Sequence, residues 1–508
     1  MDTIERIKEE FEEFKRVTDQ FYNGEITKMQ YKSFSGGFGS YAQRSGDRSM
    51  IRLKITGGML DIGKMGFICD MIKAHKVDML HATTGQSIQL HNLKPESVYD
   101  IALKALDYGI ITRGGGGDHP RNILMDPLSG VNKNETFDVR PYVRAAEQFI
   151  IKVMFDIKLP RKLKISFTNT DENVTHSTFR DLGFVARADG TFDVYSAGGL
   201  GFSPRMGVLN DSGVKPEKIL YYIQAMINTF LKHGNYENRA KSRTRYMQET
   251  LGVDGYKAAF KEELGKITEN LDISPEQFTI EKRGDKKISG RRITEQKQEG
   301  LYAVKYHPVG GIIDPENFIA LYEVIKNFDG VEMRISPNED MYVINCTADE
   351  AQAVLDVTKD SAESDFEESV SCIGTAVCQA GVQKSQELLR NIISAVKPYN
   401  FPTNVLPKFY VSGCPSSCGA QQTGKMGFSG RMKPVDKKPQ NAYMFTFGGS
   451  DILDNEKFGD ETTVMLADNI PDFMVELGKT IQAAGSDFDS WTRDNRDEFS
   501  ALVNKYCG

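Results

Sequence analysis

Two stretches of this chain carry the same pattern: IRLKITGGMLD at residues 51–61 and YAVKYHPVGGIID at residues 302–314. Each consists of a short β-prone run, a Gly-Gly turn, and an apolar pair that ends on aspartate. The turns align Gly57-Gly58 with Gly310-Gly311. Because each stretch leads into a helix-like segment and a second strand-like run, the fold is predicted to contain one small α/β unit twice.

Further landmarks keep this repeat in register. The spacing that separates the two glycine pairs also places Ile88 on Met341, inside the strand-like run MYVIN. A second pair of segments corresponds as well, DLGFVARADGTFDVYSAGG at 181–199 and KMGFSGRMKPVDKKPQNAYMFTFGG at 425–449. A spacing that holds across separate landmarks indicates duplication. The chain is therefore predicted to hold two copies of a small α/β unit, each followed by a larger α/β unit.

Composition excludes several classes of protein. The 508 residues are 40% hydrophobic and 26% charged, as in ordinary globular chains and unlike disordered or fibrous ones. The formal net charge of -7 argues against a protein that coats nucleic acid. No apolar run is long enough to span a membrane, and the charged N-terminus is unlike an export signal. A cytoplasmic location is expected.

Four of the seven cysteines are clustered. Cys372 and Cys378 flank IGTAV, and Cys414 and Cys418 lie in GCPSSCG. Four thiolates from two loops with small residues between them can surround a compact cofactor. Iron–sulfur ligation fits this spacing, whereas zinc sites prefer shorter spacing within a pair. Zinc, a disulfide and unliganded thiols remain open as alternatives.

The cysteine motif resembles that of the siroheme and 4Fe-4S nitrite and sulfite reductase family. Six further motifs precede the cysteines, in the order that the family has: IRLKITGG, TTGQSIQLHNL, HPRNIL, LPRKLK, SAGGLG and GNYENRAKSRTRY. The resemblance implies that all four cysteines bind a 4Fe-4S cluster and that Cys418 also ligates the siroheme iron. It further implies that Arg161 and Gln89 contact siroheme.

An oxyanion reductase also needs cations that attract the anion and stabilise developing charge. By resemblance these cations are Arg52, Arg121, Lys162 and Lys164. Lys162 and Lys164 lie two apart on an apparent strand, so their side chains are expected to share a face. The run Gly114–Gly117 lacks a phosphate-loop signature and is expected to be a mobile loop near the anion pocket.

The substrate expectation depends on Lys164. Nitrite reductases of the family resemble one another in having Asn at this position, whereas sulfite reductases keep Lys. The resemblance therefore implies six-electron reduction of sulfite to sulfide, with an external electron donor such as ferredoxin. The alternatives are nitrite reduction to ammonia, a monooxygenase-type enzyme of corrin synthesis, and a non-catalytic cluster-bearing redox or binding protein.

Three positions depart from the family pattern. Gly85 replaces an Arg that contacts siroheme carboxylates, His81 stands where Arg is common, and Ser416 replaces the Asn of the second cysteine motif. These departures affect the expected siroheme-edge contacts. The basic segment from Lys282 to Arg292 is expected to be a solvated linker, with docking of an acidic electron carrier as the alternative.

With the family's fold added, the prediction is an internally duplicated α/β (α+β) protein with ferredoxin-like half-domains and two larger α/β domains for siroheme and the cluster. The predicted segments are an N-terminal helical segment at 1–48, half-domains at 49–135 and 300–360, larger domains at 136–280 and 361–508, and a linker at 281–299.

Overall fold

The computed structural model describes residues 3–507, which form two compact units. The first unit comprises residues 3–199, 204–306 and 312–359, and the second comprises residues 200–203, 307–311 and 360–507. Each unit is described separately below. The segment boundaries given above stay a prediction.

The first unit contains nine helices and fourteen strands within the described residues. Its helices are α1 Thr3–Tyr22, α2 Lys28–Ser35, α3 Ile62–His75, α4 Pro95–Ala105, α5 Arg140–Val153, α6 Ile219–His233, α7 Met247–Gly265, α8 Pro315–Ile325 and α9 Ala348–Val357. Its strands are β1 Ser40–Ala42, β2 Ser49–Lys54, β3 Met59–Leu60, β4 Leu80–Ala82, β5 Ser87–Leu93, β6 Ile165–Thr168, β7 Leu182–Ala186, β8 Phe192–Ser196, β9 Val208–Val214, β10 Ile293–Glu295, β11 Tyr302–Tyr306, β12 Ile312–Ile313, β13 Glu332–Ile335 and β14 Met341–Cys346.

The duplication is confirmed by two five-stranded sheets of matching order. The first sheet runs β1-β2-β5-β4-β12 and the second runs β10-β11-β14-β13-β3. The short strand after each Gly-Gly turn leaves its own copy: Ile312 pairs with His81, and Leu60 pairs with Met333. The two sheets and their helices α3, α4, α8 and α9 share one hydrophobic core. The small units are therefore interlocked by exchanged edge strands.

The paired glycines are required by this exchange. Gly57 and Gly310 both have left-handed backbones, with φ of 57° and 67°. A Cβ on Gly58 would lie 2.2 Å from the carbonyl oxygen of Ile335. The turn can thus place its following strand against the other copy only because no side chain is present.

The third sheet of this unit carries the larger α/β element. Its order is β6-β7-β8-β9, with β6 and β7 parallel and the remaining pairs antiparallel. Helices α5, α6 and α7 bury Val143, Ile223 and Phe260 in the same core as Phe167 of β6. The segment just before β6 carries Lys162 and Lys164.

Two segments differ in part from their predicted form. Ser40–Ala42, inside the segment predicted as helical, pairs as β1 with β2. Ile293–Glu295, inside the predicted linker, pairs as β10 with β11. Both strands have three residues, too few for their periodicity to be recognised in the sequence. The predicted linker's Lys282 and Lys286 form ion pairs with Glu350 and Asp349.

The second unit is a mixed sheet with helices. Its strands are β15 Val370–Ser371, β16 Tyr410–Ser412, β17 Met426–Val435, β18 Lys438–Phe447 and β19 Asp460–Leu466. Its helices are α10 Ser385–Val396, α11 Ile470–Ala483, α12 Phe488–Asp494 and α13 Arg496–Lys505. β16 pairs in parallel with β15 on one side and with β17 on the other. β18 pairs antiparallel with β17 and with β19. Phe428, Phe445 and Phe473 lie in its core.

None of the helices in residues 3–507 has the length and the apolar character that a membrane span requires.

Candidate functional site

The glycine run 114–117 is an anchor for two of the predicted cations. The carbonyl oxygen of Gly115 accepts a hydrogen bond from Arg52 Nη1 at 2.5 Å and another from Arg121 Nη1 at 2.7 Å. Arg121 Nη2 also donates to the Gly117 carbonyl at 2.6 Å. A Cβ on Gly116 would lie 2.3 Å from the Gly36 carbonyl oxygen. The run expected to be a mobile loop is instead closely packed, and its carbonyls hold both guanidinium groups.

Arg52 is held from a second side by Gln89. The two residues are cross-strand partners on β2 and β5. With the Gln89 amide oriented to satisfy its neighbours, its oxygen accepts from Arg52 Nε at 3.0 Å and Nη2 at 2.5 Å. The amide nitrogen then donates to His91 Nε2 at 3.3 Å. Gln89 thus orients the Arg52 side chain, and its predicted contact with siroheme stays a prediction.

Lys162 and Lys164 lie beside Arg121. They flank buried Leu163, which forms a parallel bridge with Pro120 and accepts a backbone hydrogen bond from Arg121 at 2.8 Å. The regular strand begins only at Ile165, but this extended segment already alternates, so both lysines share a face. Because Pro120 pairs with Leu163 in parallel, the next residues on each segment, Arg121 and Lys164, are neighbours on that face. The structure therefore brings all four predicted cations into one region.

The surroundings of this region lower the pKa values of Arg121 and Lys54. Partial burial lowers the pKa of Arg121 to about 10, and the neighbouring Arg52 also lowers it. Burial lowers the pKa of Lys54 to about 8, while the nearby Glu147 carboxylate opposes that shift. Sequence reasoning missed Lys54, because a lysine on a short strand ordinarily faces solvent. Alternation along β2, which places it two residues after Arg52, was the available signal.

Several arginine N–H groups here are buried without a hydrogen-bond acceptor. Within residues 3–507 these groups are Arg121 Nε, Arg205 Nε, Arg243 Nε, and both Nε and Nη1 of Arg245. Unsatisfied buried donors are costly, so such groups ordinarily meet a ligand or water. An oxyanion and the carboxylates of a tetrapyrrole supply the acceptors that these donors lack. The residues present therefore fit siroheme and a small anion.

Arg161 is tied to a neighbouring carboxylate. Its Nη1 donates to Asp118 Oδ1 at 3.0 Å, and Arg239 donates to the same carboxylate at 2.8 Å. Arg243 donates to Asp181 at 2.9 Å, and Asp181 also accepts from the Lys164 backbone N–H at 2.8 Å. Two aspartates that sequence reasoning did not select, Asp118 and Asp181, thus order the basic residues of this region.

The departures from the family motif have different surroundings. A Cβ on Gly85 would meet no atom closer than 3.6 Å, so this position has open space. His81 is buried, with Nε2 at 3.6 Å from the Glu339 carboxylate. The adjacent Gln86 donates to the carbonyls of Met125 and Ile335 at 2.8 and 2.7 Å. Gln86 is therefore a structural tie between the copies.

The four cysteines lie at one edge of the second unit's sheet. Cys372 directly follows β15, and Cys414 comes two residues after the end of β16. These strands are parallel neighbours, so their carboxyl ends lie side by side. Cys378 follows in the loop after Cys372, and Cys418 is exposed. The loops that carry the two motifs are therefore adjacent, and their role as cluster ligands stays a prediction. No three His, Cys, Asp or Glu side chains in residues 3–507 are grouped to hold a single metal ion.

Small residues in the cysteine loops are needed for their close packing. A Cβ on Gly413 would lie 2.6 Å from the Gln383 carbonyl oxygen, and one on Gly419 would lie 2.3 Å from that of Val411. The Gly413 N–H donates to Cys372 Sγ at 3.1 Å, and a hydrogen bond of this kind stabilises a thiolate that binds a cluster. Burial raises the pKa of the Cys372 thiol to about 12, and the nearby Cys418 adds to this. Ligation must therefore displace the Cys372 proton.

Comparisons with family models cover more than half of the chain. A model described as the nitrite/sulfite reductase ferredoxin-like half domain matches residues 41–106 and again 294–360. A model described as the nitrite and sulphite reductase 4Fe-4S domain matches residues 116–268. The repeated match agrees with the duplication seen in the two interlocked sheets. The four clustered cysteines lie outside these matches.

Related proteins of known name extend the likeness over most of the chain. A chloroplastic ferredoxin–nitrite reductase of Betula pendula is 26% identical over 79% of this chain and 71% of its own length. An assimilatory ferredoxin-dependent nitrite reductase of Haloferax mediterranei is 24% identical over 92% of this chain and 86% of its own. The solved structure of the Mycobacterium tuberculosis NirA protein superposes with a TM-score of 0.77 at 20% identity, covering 94% of this chain and 92% of that one. This last likeness establishes the fold.

Proposed function

Because the chain belongs to the nitrite and sulfite reductase family, we propose that it reduces nitrite to ammonia with electrons from ferredoxin. The chain is an oxidoreductase, and its family cofactors are siroheme and a 4Fe-4S cluster. When bound, these groups supply electron transfer and an open iron position for the anion. Related ferredoxin–nitrite reductases support the choice of substrate and donor.

The observation that carries the proposal is the pair of guanidinium groups on the Gly115 carbonyl. Arg52 and Arg121 would repel each other, yet the shared acceptor holds both in place. Lys162 and Lys164 extend the positive field along the adjoining segment. Preorganised cations of this kind bind a small anion and stabilise charge that develops as its oxygens leave.

The reaction also consumes protons. Nitrite takes up six electrons and eight protons to give ammonium and two waters. In our proposal the lysine ammonium groups and Arg121 orient the anion, while protons reach its oxygens from ordered water held between these cations. The Lys164 backbone remains fixed because its N–H donates to the Asp181 carboxylate. No single side chain has to serve as the only acid.

Sulfite is the second candidate, and Lys164 is the residue that favours it. The sequence expectation of sulfite reduction rests on this side chain, because the family's nitrite reductases resemble one another in having Asn there. The named relatives favour nitrite instead. Replacing Lys164 with Asn should lower turnover of sulfite relative to nitrite. An unchanged ratio of the two rates would remove the case for sulfite.

The experiment that tests the function is a paired turnover assay. The protein is purified without oxygen, and its kcat/KM is measured for nitrite and for sulfite with a reduced viologen dye as electron source. We expect a higher kcat/KM for nitrite. A higher value for sulfite would select the second candidate, and no turnover of either anion would contradict the proposed enzyme.

We further propose that Cys372, Cys378, Cys414 and Cys418 hold the cluster and that Cys418 also faces the siroheme iron. Replacing Cys414 with Ser should remove cluster iron and its visible absorption from the purified protein. Cys69 is buried in the first unit and offers the matched control. Equal iron content in both variants would contradict the assignment.

A further inference from the structure

The β17–β18 hairpin of the second unit extends beyond the sheet that carries the cysteines. Its inner half, from Met426 to Gly430, is buried, whereas most of residues 432–441 are exposed. The strands stay paired to the turn at Asp436 and Lys437, which both have left-handed backbones. We call residues 431–441 the hairpin arm. Its full pairing gives it a defined shape despite its exposure.

The base of the hairpin arm is joined to both cysteine loops. The Gln383 side chain donates to the Arg431 carbonyl at 2.6 Å and contacts Met432 Sδ at 3.1 Å. The Gln383 backbone N–H donates to the Gly413 carbonyl at 2.8 Å, and its carbonyl accepts from Thr375 N–H at 3.0 Å. Gln383 therefore links the arm to the loop of Cys372 and to the loop of Cys414.

The surface of the arm combines apolar and positive groups. Met432 is 46% exposed, and Val382, beside Gln383, is 41% exposed. Pro434 and Pro439 pair across the strands and are exposed as well. Beyond them lie Lys437 and Lys438, and in residues 3–507 neither lysine forms an ion pair with an acidic side chain. An apolar centre beside uncompensated charges is the usual arrangement of a transient protein interface.

The charge of the arm contrasts with that of the whole chain. The arm carries one acidic residue, Asp436, and four basic residues: Arg431, Lys433, Lys437 and Lys438. Glu461, on the neighbouring strand β19, pairs with Arg431 at 3.4 Å. The chain as a whole has a net charge of -7. A local positive surface on an acidic protein attracts an acidic partner and orients it.

We propose that the hairpin arm is the docking surface for an acidic one-electron carrier protein. This inference rests on the proposed function, since the carrier delivers electrons beside the cysteine loops. Each docking event would transfer one electron, oxidising the reduced carrier and reducing a 4Fe-4S cluster held by the cysteines. The segment 281–299, the other basic candidate, has Lys282 and Lys286 already paired with Glu350 and Asp349.

The test is a binding measurement that does not depend on catalysis. The purified holoprotein is titrated with an acidic plant-type ferredoxin in a calorimeter at low ionic strength. Reversing both tip charges, Lys437→Glu with Lys438→Glu, should weaken binding by about tenfold or more. The matched control reverses Lys257 and Lys261, two exposed lysines on α7, and should bind within about twofold of the wild type.

A turnover assay separates this proposal from the proposed function. The tip variant should lose ferredoxin-dependent turnover but keep viologen-dependent turnover of nitrite or sulfite. Failure of the wild type to bind ferredoxin, or equal Kd values for the tip variant and the wild type, would overturn the docking surface. Absence of viologen-dependent turnover would instead overturn the proposed function while the binding result still stands.

Discussion

Single residues explain how like charges can be concentrated in this protein. The Gly115 carbonyl accepts from two arginines, and Asp181 binds both Arg243 and the Lys164 backbone. The neutral Gly115 carbonyl thus fixes Arg52 and Arg121 without adding a negative charge beside them, whereas Asp181 fixes Arg243 and offsets one positive charge. The proposed anion site therefore depends on these acceptors as much as on the basic residues themselves.

At the residue scale, the glycine run gives a direct prediction. Replacing Gly116 with Ala should displace the run, because the added Cβ would lie 2.3 Å from the Gly36 carbonyl oxygen. We expect kcat/KM for nitrite to fall by about tenfold and stability to fall by about 1–3 kcal/mol. Gly265→Ala is the control, since no atom lies within 4 Å of its added Cβ. Equal kinetics in the two variants would refute the anchoring role.

Lys54 gives a prediction about pH. Its pKa is about 8 when folded because burial disfavours the charge, against an ordinary value of 10.5. Between pH 8 and pH 10.5 the unfolded chain binds more protons at this lysine than the folded chain does. The contribution of Lys54 to the free energy of unfolding therefore rises as the pH rises. The difference in unfolding free energy between wild type and Lys54→Met should therefore shift by about 2–3 kcal/mol in favour of wild type from pH 7 to pH 10. Denaturant melts at several pH values measure it, and a flat difference contradicts it.

At the scale of elements, the sequence predicted regular segments better than their partners. Ile7, Phe11 and Phe14 are spaced as on a helix, and α1 buries all three. The repeated Gly-Gly turns correctly predicted the duplication. The exchange of β3 and β12 was not predictable, because two-residue strands have no periodicity and their partners lie far along the chain. The anchoring role of Gly115 was missed for a similar reason, since a backbone carbonyl leaves no signature in sequence.

The strand exchange can be tested with two matched glycines. Gly58 and Gly213 both have φ of 72°, but only Gly58 lacks space for a Cβ. Gly213→Ala should cost about 1 kcal/mol of stability from backbone strain. Gly58→Ala should cost at least about 2 kcal/mol more, because the Ile335 carbonyl blocks the new atom. Thermal and denaturant unfolding measure the stability lost in each variant. Equal losses in the two variants would show that the exchanged strand shifts to accommodate the new Cβ at little cost.

At the scale of the whole molecule, the duplication has produced two different larger α/β elements. The first, built on β6–β9, adjoins the segment that carries Lys162 and Lys164. The second, built on β15–β19, carries the clustered cysteines at the ends of two parallel strands. The proposed chemistry thus assigns anion binding to one copy and the cluster ligands to the other. Family motifs in the sequence predicted both groups of residues. The acceptors that position the cations could be identified only from the structure.

The most direct test of the central claim is the affinity of the holoprotein for nitrite. The Kd is measured by anaerobic titration of the visible spectrum in wild type and in a variant with Arg52→Gln and Arg121→Gln. Loss of two charge-assisted contacts should raise the Kd by about a hundredfold. Arg187→Gln, at a half-buried residue on the β7–β8 turn that pairs with Asp193, should leave the Kd unchanged. A Kd within about twofold of wild type in the double variant would contradict the account of the anion site.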